Sequence, residues 1–391
     1  MKNVSSRRNF LATGLTLPAT VLASTSRARF LADGAPGLPT ETQPGLKFRV
    51  LGKTGLKVTS VGFGCMITSD PSVIEKAADL GINYFDTARV YSQGNNERMV
   101  GGALKTKRKG IVLSSKSGAE KKQEAMANLE KSLSELGTDH LDIWYLHGKN
   151  KASQITDEWL EAQSQAKKEG KIRFSGVSTH DSQPDILRAV IAKREQVDVV
   201  LTTFNFTMGA PMLEAIAEAD EAGVGVVAMK VMAGGFRRNK AGEKVTETLK
   251  RPGAMLAALK WVLKTPGVHT TIPSITDTDQ LDENMKAMTA SFTLEDEKVL
   301  AAQLDYIRPL YCRMCGECKG TCPKGLPVAD MLRHLSYADG YGEFFLARES
   351  FMELPHHVRR VRCNLCPSCS VACPNGVRVR DRLARAQELF A

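Results

Sequence analysis

Residues 111–147 read IVLSSKSGAEKKQEAMANLEKSLSELGTDHLDIWYLH, and the order of patterns within them decides the fold. Ile111–Lys116 is a short apolar run that ends in a lysine. Lys121–Leu136 changes period, with Ala125, Leu129, Leu133 and Leu136 on one helical face. Leu141–Leu146 is a second apolar run, closed by His147. Strand, helix and strand in that order suit a parallel sheet with helical crossovers.

The alternation continues on both sides. Further strand candidates are Val58–Met66, Asn83–Thr87, Arg173–Ser178, Val197–Phe204, Gly225–Lys230 and Thr270–Pro273. Eight strands with helical connectors suggest a closed (β/α)8 barrel, although an open doubly wound sheet alternates in the same way. No Gly-x-Gly-x-x-Gly follows any strand, which weakens the open-sheet alternative. Phe48–Val58, interrupted by Lys53-Thr54-Gly55, reads as a hairpin ahead of the first strand.

A parallel barrel carries its functional residues at the C-terminal ends of its strands. Those ends supply Asp86 with Tyr91, then Lys116, then His147. Any one of them alone would be an ordinary loop residue. Their placement on three successive strand ends is not ordinary.

Phe85-Asp86-Thr87-Ala88 with Tyr91, Ser115-Lys116 and Leu146-His147 resemble the catalytic tetrad of the aldo/keto reductase family. Gly62-Phe63-Gly64 and Asn95-Asn96-Glu97 also fit that pattern, and the resemblance runs from Phe48 to about Ala290. A carbonyl that accepts hydride develops negative charge on oxygen, so a nearby proton donor lowers the barrier. Tyr91 is the expected donor. Lys116 would lower the phenol's pKa from about 10, and Asp86 would pair the lysine. The resemblance implies that His147 orients the substrate carbonyl. It also implies a nicotinamide cofactor held by Ser178, Met229, Lys230, Ser274 and Asn284. Thr179 stands where the family usually has Asn, and Met229 where an aromatic commonly stacks on nicotinamide. Ser274 and Gln280 occupy places where many members put cations for a 2′-phosphate, so NADP and NAD both stay open. Lys230 could compensate or be a plain strand-end lysine.

Eight of the nine cysteines lie between Cys312 and Cys373. Cys312-x₂-Cys315-x₂-Cys318-x₃-Cys322-Pro323 is followed by Cys363-x₂-Cys366-x₂-Cys369-x₃-Cys373-Pro374, the bacterial ferredoxin ligand run written twice. Pro323, Gly325, Val328, Asp330 and Leu332 recur as Pro374, Gly376, Val379, Asp381 and Leu383, which makes the tail an internal repeat. Structural zinc, the competing reading, usually takes separated cysteine pairs. Two [4Fe–4S] clusters are therefore expected. By the rule of two-cluster ferredoxins, Cys312, Cys315, Cys318 and Cys373 hold one, and Cys363, Cys366, Cys369 and Cys322 the other. Pro327–Leu354 between the runs looks helical, with Met331, Leu332 and Leu335 at helix spacing. The tail thus resembles the helical two-cluster ferredoxins. The ninth cysteine, Cys65, ends the first strand and reads as a small buried residue at the barrel rim.

The first thirty residues contain Ser6-Arg7-Arg8-Asn9-Phe10-Leu11 and then a short apolar stretch, resembling a twin-arginine export signal. That route carries folded proteins with their cofactors inserted, so an extracytoplasmic, periplasmic location is expected. The expected organisation is a signal over residues 1–30, a linker over 31–46, the barrel over 47–306 and the ferredoxin-like domain over 307–391. No run of eighteen apolar residues suggests a membrane span. The net charge of +10 is not read as a nucleic-acid footprint, because five of its positive charges lie in residues 1–30. Two clusters on eight thiolates would bring the remainder to about +1.

The reading is a hydride-transferring oxidoreductase acting on a small carbonyl or alcohol, with clusters attached for electron transfer. Hydride carries two electrons and each cluster accepts one, so an unseen redox partner protein or cofactor would have to mediate between them. The alternative is an iron–sulfur electron-transfer protein whose barrel is a scaffold without turnover.

Overall fold

The computed structural model describes residues 45–238, 242 and 253–390. The expected export signal, and all but the end of the linker, lie outside the described residues. Ten strands appear in chain order: β1 (Phe48–Val50), β2 (Lys57–Thr59), β3 (Phe63–Gly64), β4 (Tyr84–Asp86), β5 (Val112–Ser117), β6 (Leu141–Leu146), β7 (Ile172–Thr179), β8 (Val199–Thr203), β9 (Gly225–Met229) and β10 (Thr270–Thr271).

β1 and β2 form the expected antiparallel hairpin, with Phe48 opposite Thr59. β3 to β10 form one parallel sheet in sequence order. Bridges from Val61 to Thr271 and from Gly64 to Ser274 bring its two edges together. The Gly62 and Gly64 amides donate to Thr271 O at 2.7 Å and Pro273 O at 2.9 Å, so the edge groups that an open sheet would leave unpaired are satisfied. The barrel reading holds and the open sheet does not.

Side chains fill the barrel. Tyr84, Val112, Ile143, Tyr145, Val199, Leu201 and Val227 are buried in one cluster, and Leu51, Leu56 and Val58 from the hairpin region join it. The Tyr84 and Tyr145 hydroxyls meet at 2.8 Å, which gives two buried phenols a partner each. Gly176 makes room for this packing, because a Cβ there would stand 2.3 Å from the Tyr145 ring. A second cluster lies between sheet and helices, where Ala125 and Leu129 of the helix Lys122–Leu136 meet Leu113 and Trp144.

The helix Leu294–Ile307 opens with a capping box between Thr293 and Asp296 and leads to the cysteine tail. The helices Val328–Asp339 and Val379–Phe390 begin at equivalent places in the two repeats and have equal length. Each follows a glycine in the left-handed region, Gly325 at φ +72° and Gly376 at φ +92°. Met331, Leu335, Leu383, Ala386 and Phe390 from these helices pack with Ala347 and Phe351 of the helix Phe344–Met352 into the tail's own core. Pro327–Leu354 is thus two helices, broken where Gly342 takes φ +77°. Among the described residues no helix is long and apolar enough to cross a membrane.

Candidate active site

At the C-terminal mouth of the barrel, β4 ends in Asp86 and the 3-10 turn Tyr91–Gly94 follows it. Lys116 lies in β5, with its side chain 2% exposed. Its ammonium donates to Asp86, to Thr87 O at 2.7 Å and to the Tyr91 hydroxyl at 3.4 Å. Ser114 Oγ donates to the other Asp86 oxygen at 2.7 Å. The ammonium also stands 4.9 Å from the centre of the Tyr91 ring. The His147 ring meets the Tyr91 ring edge-on at 6.0 Å between centres. All four expected residues therefore come together.

Electrostatics corrects one expectation. Burial pushes the Tyr91 phenol above its ordinary value; Lys116 pulls it down without outweighing burial, and Asp86 adds to the rise. Burial also raises the Asp86 carboxyl, against Lys116 and Ser114. Lys116 is lowered by burial but raised more by Asp86 and Tyr91, so it stays an ammonium. Burial, followed by Lys116, Arg333 and Lys149, holds His147 down at about 3. A neutral imidazole and a protonated phenol therefore face the mouth at neutral pH. Both can donate to a carbonyl oxygen.

A cleft beside this group is lined by Asp86, Tyr91, Met229, Lys230, Arg237 and Ser274, among others. Met229 and Ser274, two of the expected cofactor residues, both line it. Lys230 reaches the cleft, but its ammonium sits 4.9 Å from the Tyr337 ring centre and 5.7 Å from that of Tyr341, as a latch to the tail. Asn284 is 2% exposed, and its side-chain nitrogen has no partner among the described residues. Ser178 is engaged locally: its hydroxyl accepts from Gly148 N at 2.8 Å and donates to Leu146 O at 3.4 Å. Arg237, 3.6 Å from Glu283, places a cation in the cleft where the strand-end reading found only Ser274 and Gln280.

The tail reaches the same mouth. Ser182 N donates to Met314 O at 3.2 Å, Arg313 Nη1 to Thr207 O at 2.7 Å and Asn205 Nδ2 to the Tyr311 hydroxyl at 3.2 Å. These bonds stitch the first cysteine loop to the loops after β7 and β8. The helix Val328–Asp339 brings Arg333 and Tyr337, whose hydroxyl accepts from Arg333 Nη1 at 3.1 Å. Burial alone would raise the Tyr337 phenol, but Lys230 and Arg333 together hold it at about 8. The more acidic phenol at the mouth is thus Tyr337, not Tyr91. Sequence reasoning missed His180, Arg237, Arg333, Tyr337 and Tyr341. Only His180 carried a signal, as the residue that follows β7.

The cysteines ring two cavities. One is lined by Cys312, Cys315, Cys318 and Cys373, the other by Cys322, Cys363, Cys366 and Cys369. None is in a disulfide. The Lys319 and Ala372 backbones pair in both directions at 2.9 Å, and Ser370 Oγ donates to Thr321 O at 2.9 Å, so each run lends its fourth cysteine to the other. Gly320 permits this approach, because a Cβ there would lie 2.1 Å from Ser370 O. Burial, with Cys318, Cys315 and Cys373 adding, pushes the Cys312 thiol up to about 12. Among the described residues no three His, Cys, Asp or Glu side chains converge on a point as a single ion requires. Four thiols around a cavity suit a larger body. Cys65 is fully buried in the barrel's outer core, and burial pushes its thiol far up.

A family profile described as "Aldo/keto reductase family" matches residues 69–304, ending before the first tail cysteine. The chain is 28% identical to an uncharacterized oxidoreductase of Bacillus subtilis, over 68% of this chain and 98% of that protein. It is 26% identical to L-galactose dehydrogenase of Arabidopsis thaliana, over 67% of this chain and 94% of that protein. Among solved structures, an aldo-keto reductase from Bacillus halodurans in its holo form superposes with a TM-score of 0.56 at 28% identity, covering 66% of this chain and 96% of that one.

Proposed function

The chain belongs to the aldo/keto reductase family and is an oxidoreductase, and we propose that it moves hydride between a nicotinamide cofactor and a carbonyl or alcohol at the barrel mouth, with Tyr91 as the proton donor. The observation that carries this reading is the Lys116 ammonium, buried between Asp86 and the Tyr91 hydroxyl. A bound nicotinamide would supply hydride to the carbonyl carbon, and the Tyr91 hydroxyl would protonate the oxygen. Lys116 steadies the phenolate that remains, and Asp86 holds Lys116 in place. Neutral His147 donates a hydrogen bond to the same oxygen and orients it. Oxidation runs the steps in reverse, with tyrosinate as base. Met229, Ser274, Asn284 and Arg237 are the residues assigned to the nicotinamide nucleotide, with Arg237 as the cation for a phosphate.

The tail is assigned to two [4Fe–4S] clusters, held by Cys312, Cys315, Cys318 and Cys373 and by Cys322, Cys363, Cys366 and Cys369. What supports this is the doubled ligand run together with the two cavities that the eight thiols line. Bound clusters would store single electrons for a redox partner protein. Export by the twin-arginine route, from Arg7 and Arg8, fits a protein that leaves the cytoplasm with cofactors already in place.

Anaerobic purification of the full chain, with iron, sulfide and bound nucleotide measured on one sample, tests both assignments. About eight irons per chain and a released or titratable NAD(P)H are expected. Failure to bind either nucleotide would leave the scaffold reading in its place.

A further inference from the structure

The two cysteine cavities differ in what surrounds them. The first, lined by Cys312, Cys315, Cys318 and Cys373, lies against the barrel, with Thr207 in its wall. Both cations in that wall are paired, Arg308 with Asp305 at 3.1 Å and Arg313 with Glu317 at 3.0 Å. The second, lined by Cys322, Cys363, Cys366 and Cys369, has walls from the tail alone, and Cys369 is exposed there. Lys324 and Arg380 stand in its wall, and neither makes an ion pair among the described residues. Arg380 Nη2 donates to Cys366 O at 2.7 Å, which holds the guanidinium on the loop of that cysteine.

The surrounding chain adds to this charge. Residues 354–380 carry five arginines and no aspartate or glutamate. Arg360 and Arg362 are exposed on either side of Val361, a wall residue of the second cavity. Arg362 donates only to backbone, at 2.8 Å to Arg359 O and 3.4 Å to Val361 O. Arg359 likewise donates to Leu354 O at 3.0 Å. The acids nearest in sequence are Glu353 and Asp381, while Asp339 is taken up by Arg382 and Arg385. The balance around the second cavity is therefore cationic. Within it Leu365, between Cys363 and Cys366, is 75% exposed. A bare apolar side chain inside a charged rim is the composition of a protein interface. The rim attracts an anionic surface and repels a cationic one. A membrane surface fits less well, because the helix His356–Arg359 has only four residues and offers no long apolar face.

We propose that the face around Leu365, Lys324, Arg360 and Arg362 docks an acidic protein that carries single electrons, and that electrons enter or leave the tail through the second cavity. This rests on the assignment of clusters to the tail. The step moves one electron: the partner's centre is reduced as the group held by Cys322, Cys363, Cys366 and Cys369 is oxidised, or the reverse. No bond or proton changes. Electron transfer weakens steeply with distance, and at this face a partner seated on Leu365 lies beside the exposed Cys369. The first cavity, walled by the barrel and with its cations paired, is left to exchange electrons inside the molecule.

The test uses the full-length holoprotein, reduced with dithionite, and two haem proteins as acceptors: an acidic b-type cytochrome and a basic c-type cytochrome. Stopped-flow rates and binding are read from about 0.01 M to about 0.15 M salt, over which the screening length falls from roughly 30 Å to 8 Å. The rate with the acidic cytochrome should fall about tenfold over that range, and the rate with the basic one should rise. Arg360→Glu and Lys324→Glu, on different loops, should each slow the acidic cytochrome at low salt and flatten its salt dependence, with iron content unchanged. Should one of them lose iron, the other makes the same measurement. Leu365→Ala should weaken binding of the acidic cytochrome about tenfold and leave the salt dependence as it was. Equal salt dependence for the two cytochromes, unchanged rates in the charge variants, or tighter binding to phosphatidylglycerol vesicles than to the acidic cytochrome would overturn this inference alone. A purified protein without iron and sulfide would overturn the cluster assignment with it.

Discussion

The barrel mouth and the cysteine tail are built on opposite plans. At the mouth, Asp86, Ser114, Lys116 and Tyr91 satisfy one another, so the protein alone holds the constellation in place. In the tail, eight free thiols from two cysteine runs ring two cavities, and three helices of 12, 9 and 12 residues supply the core beneath them. A rigid ring of strands can preorganise a site by itself. A small helical tail folded around two thiol-lined cavities would draw stability from the clusters proposed there.

The largest effect tests the mouth. Tyr91→Phe removes the proton donor but leaves the ring beside His147, and kcat should fall roughly 10²–10⁴-fold with nucleotide affinity retained. Steady-state kinetics with nucleotide titration checks this, and an unchanged kcat would break the proposed mechanism. Next comes the tail's dependence on its thiols. Cys366→Ser should lower iron to about half and make the tail protease-sensitive before the barrel. Equal sensitivity of both parts would erase the contrast between mouth and tail. Third, Leu335 is fully buried in the tail core, so Leu335→Ala should cost about 2–5 kcal/mol, read as early hydrogen exchange in the tail helices. Fourth, the two regions share an acid weakness. Burial, then Arg333 and Lys230, holds the tail's His334 at about 3, against 6.5 for a free imidazole. A base with a depressed folded pKa contributes stability that is full above pH 6.5 and lost as pH falls toward 3. Thermal melts should show that decline, and His334→Gln should flatten part of it. The smallest effect is expected at Met229, 9% exposed in the cleft beside Tyr91. Met229→Tyr should tighten nucleotide binding by a factor of a few, on the order of 1 kcal/mol for an aromatic contact.

Much of this is legible in the amino-acid sequence. Strand ends could be located because apolar runs stop where a strand leaves the core, and Asp86, Lys116 and His147 each stand at such a stop. The tail repeat was legible from spacing, and its two 12-residue helices start at equivalent positions. Strand lengths were less legible: Val58–Met66 reduces to the short β2 and β3, because Ser60–Gly62 bonds across the seam to Thr271 without a regular ladder. The acidity of Tyr91 is not legible, since a sequence shows which cation is near but not how deeply the pair is buried.

The sequence by itself determined the alternation of strands and helices, the four residues at the strand ends and the grouping of eight cysteines into two runs, because periodicity and local spacing encode where a side chain points along its own element, whereas closure of the sheet was decided by the seam between its edges. Only the tertiary structure decided that a tail helix lays Arg333 and Tyr337 against that mouth, that Lys230 is latched between tail aromatics, and that Arg237 enters the cleft. Those contacts join elements about a hundred or more residues apart or turn on the path of a loop. They depend on how finished elements pack, which no local pattern records.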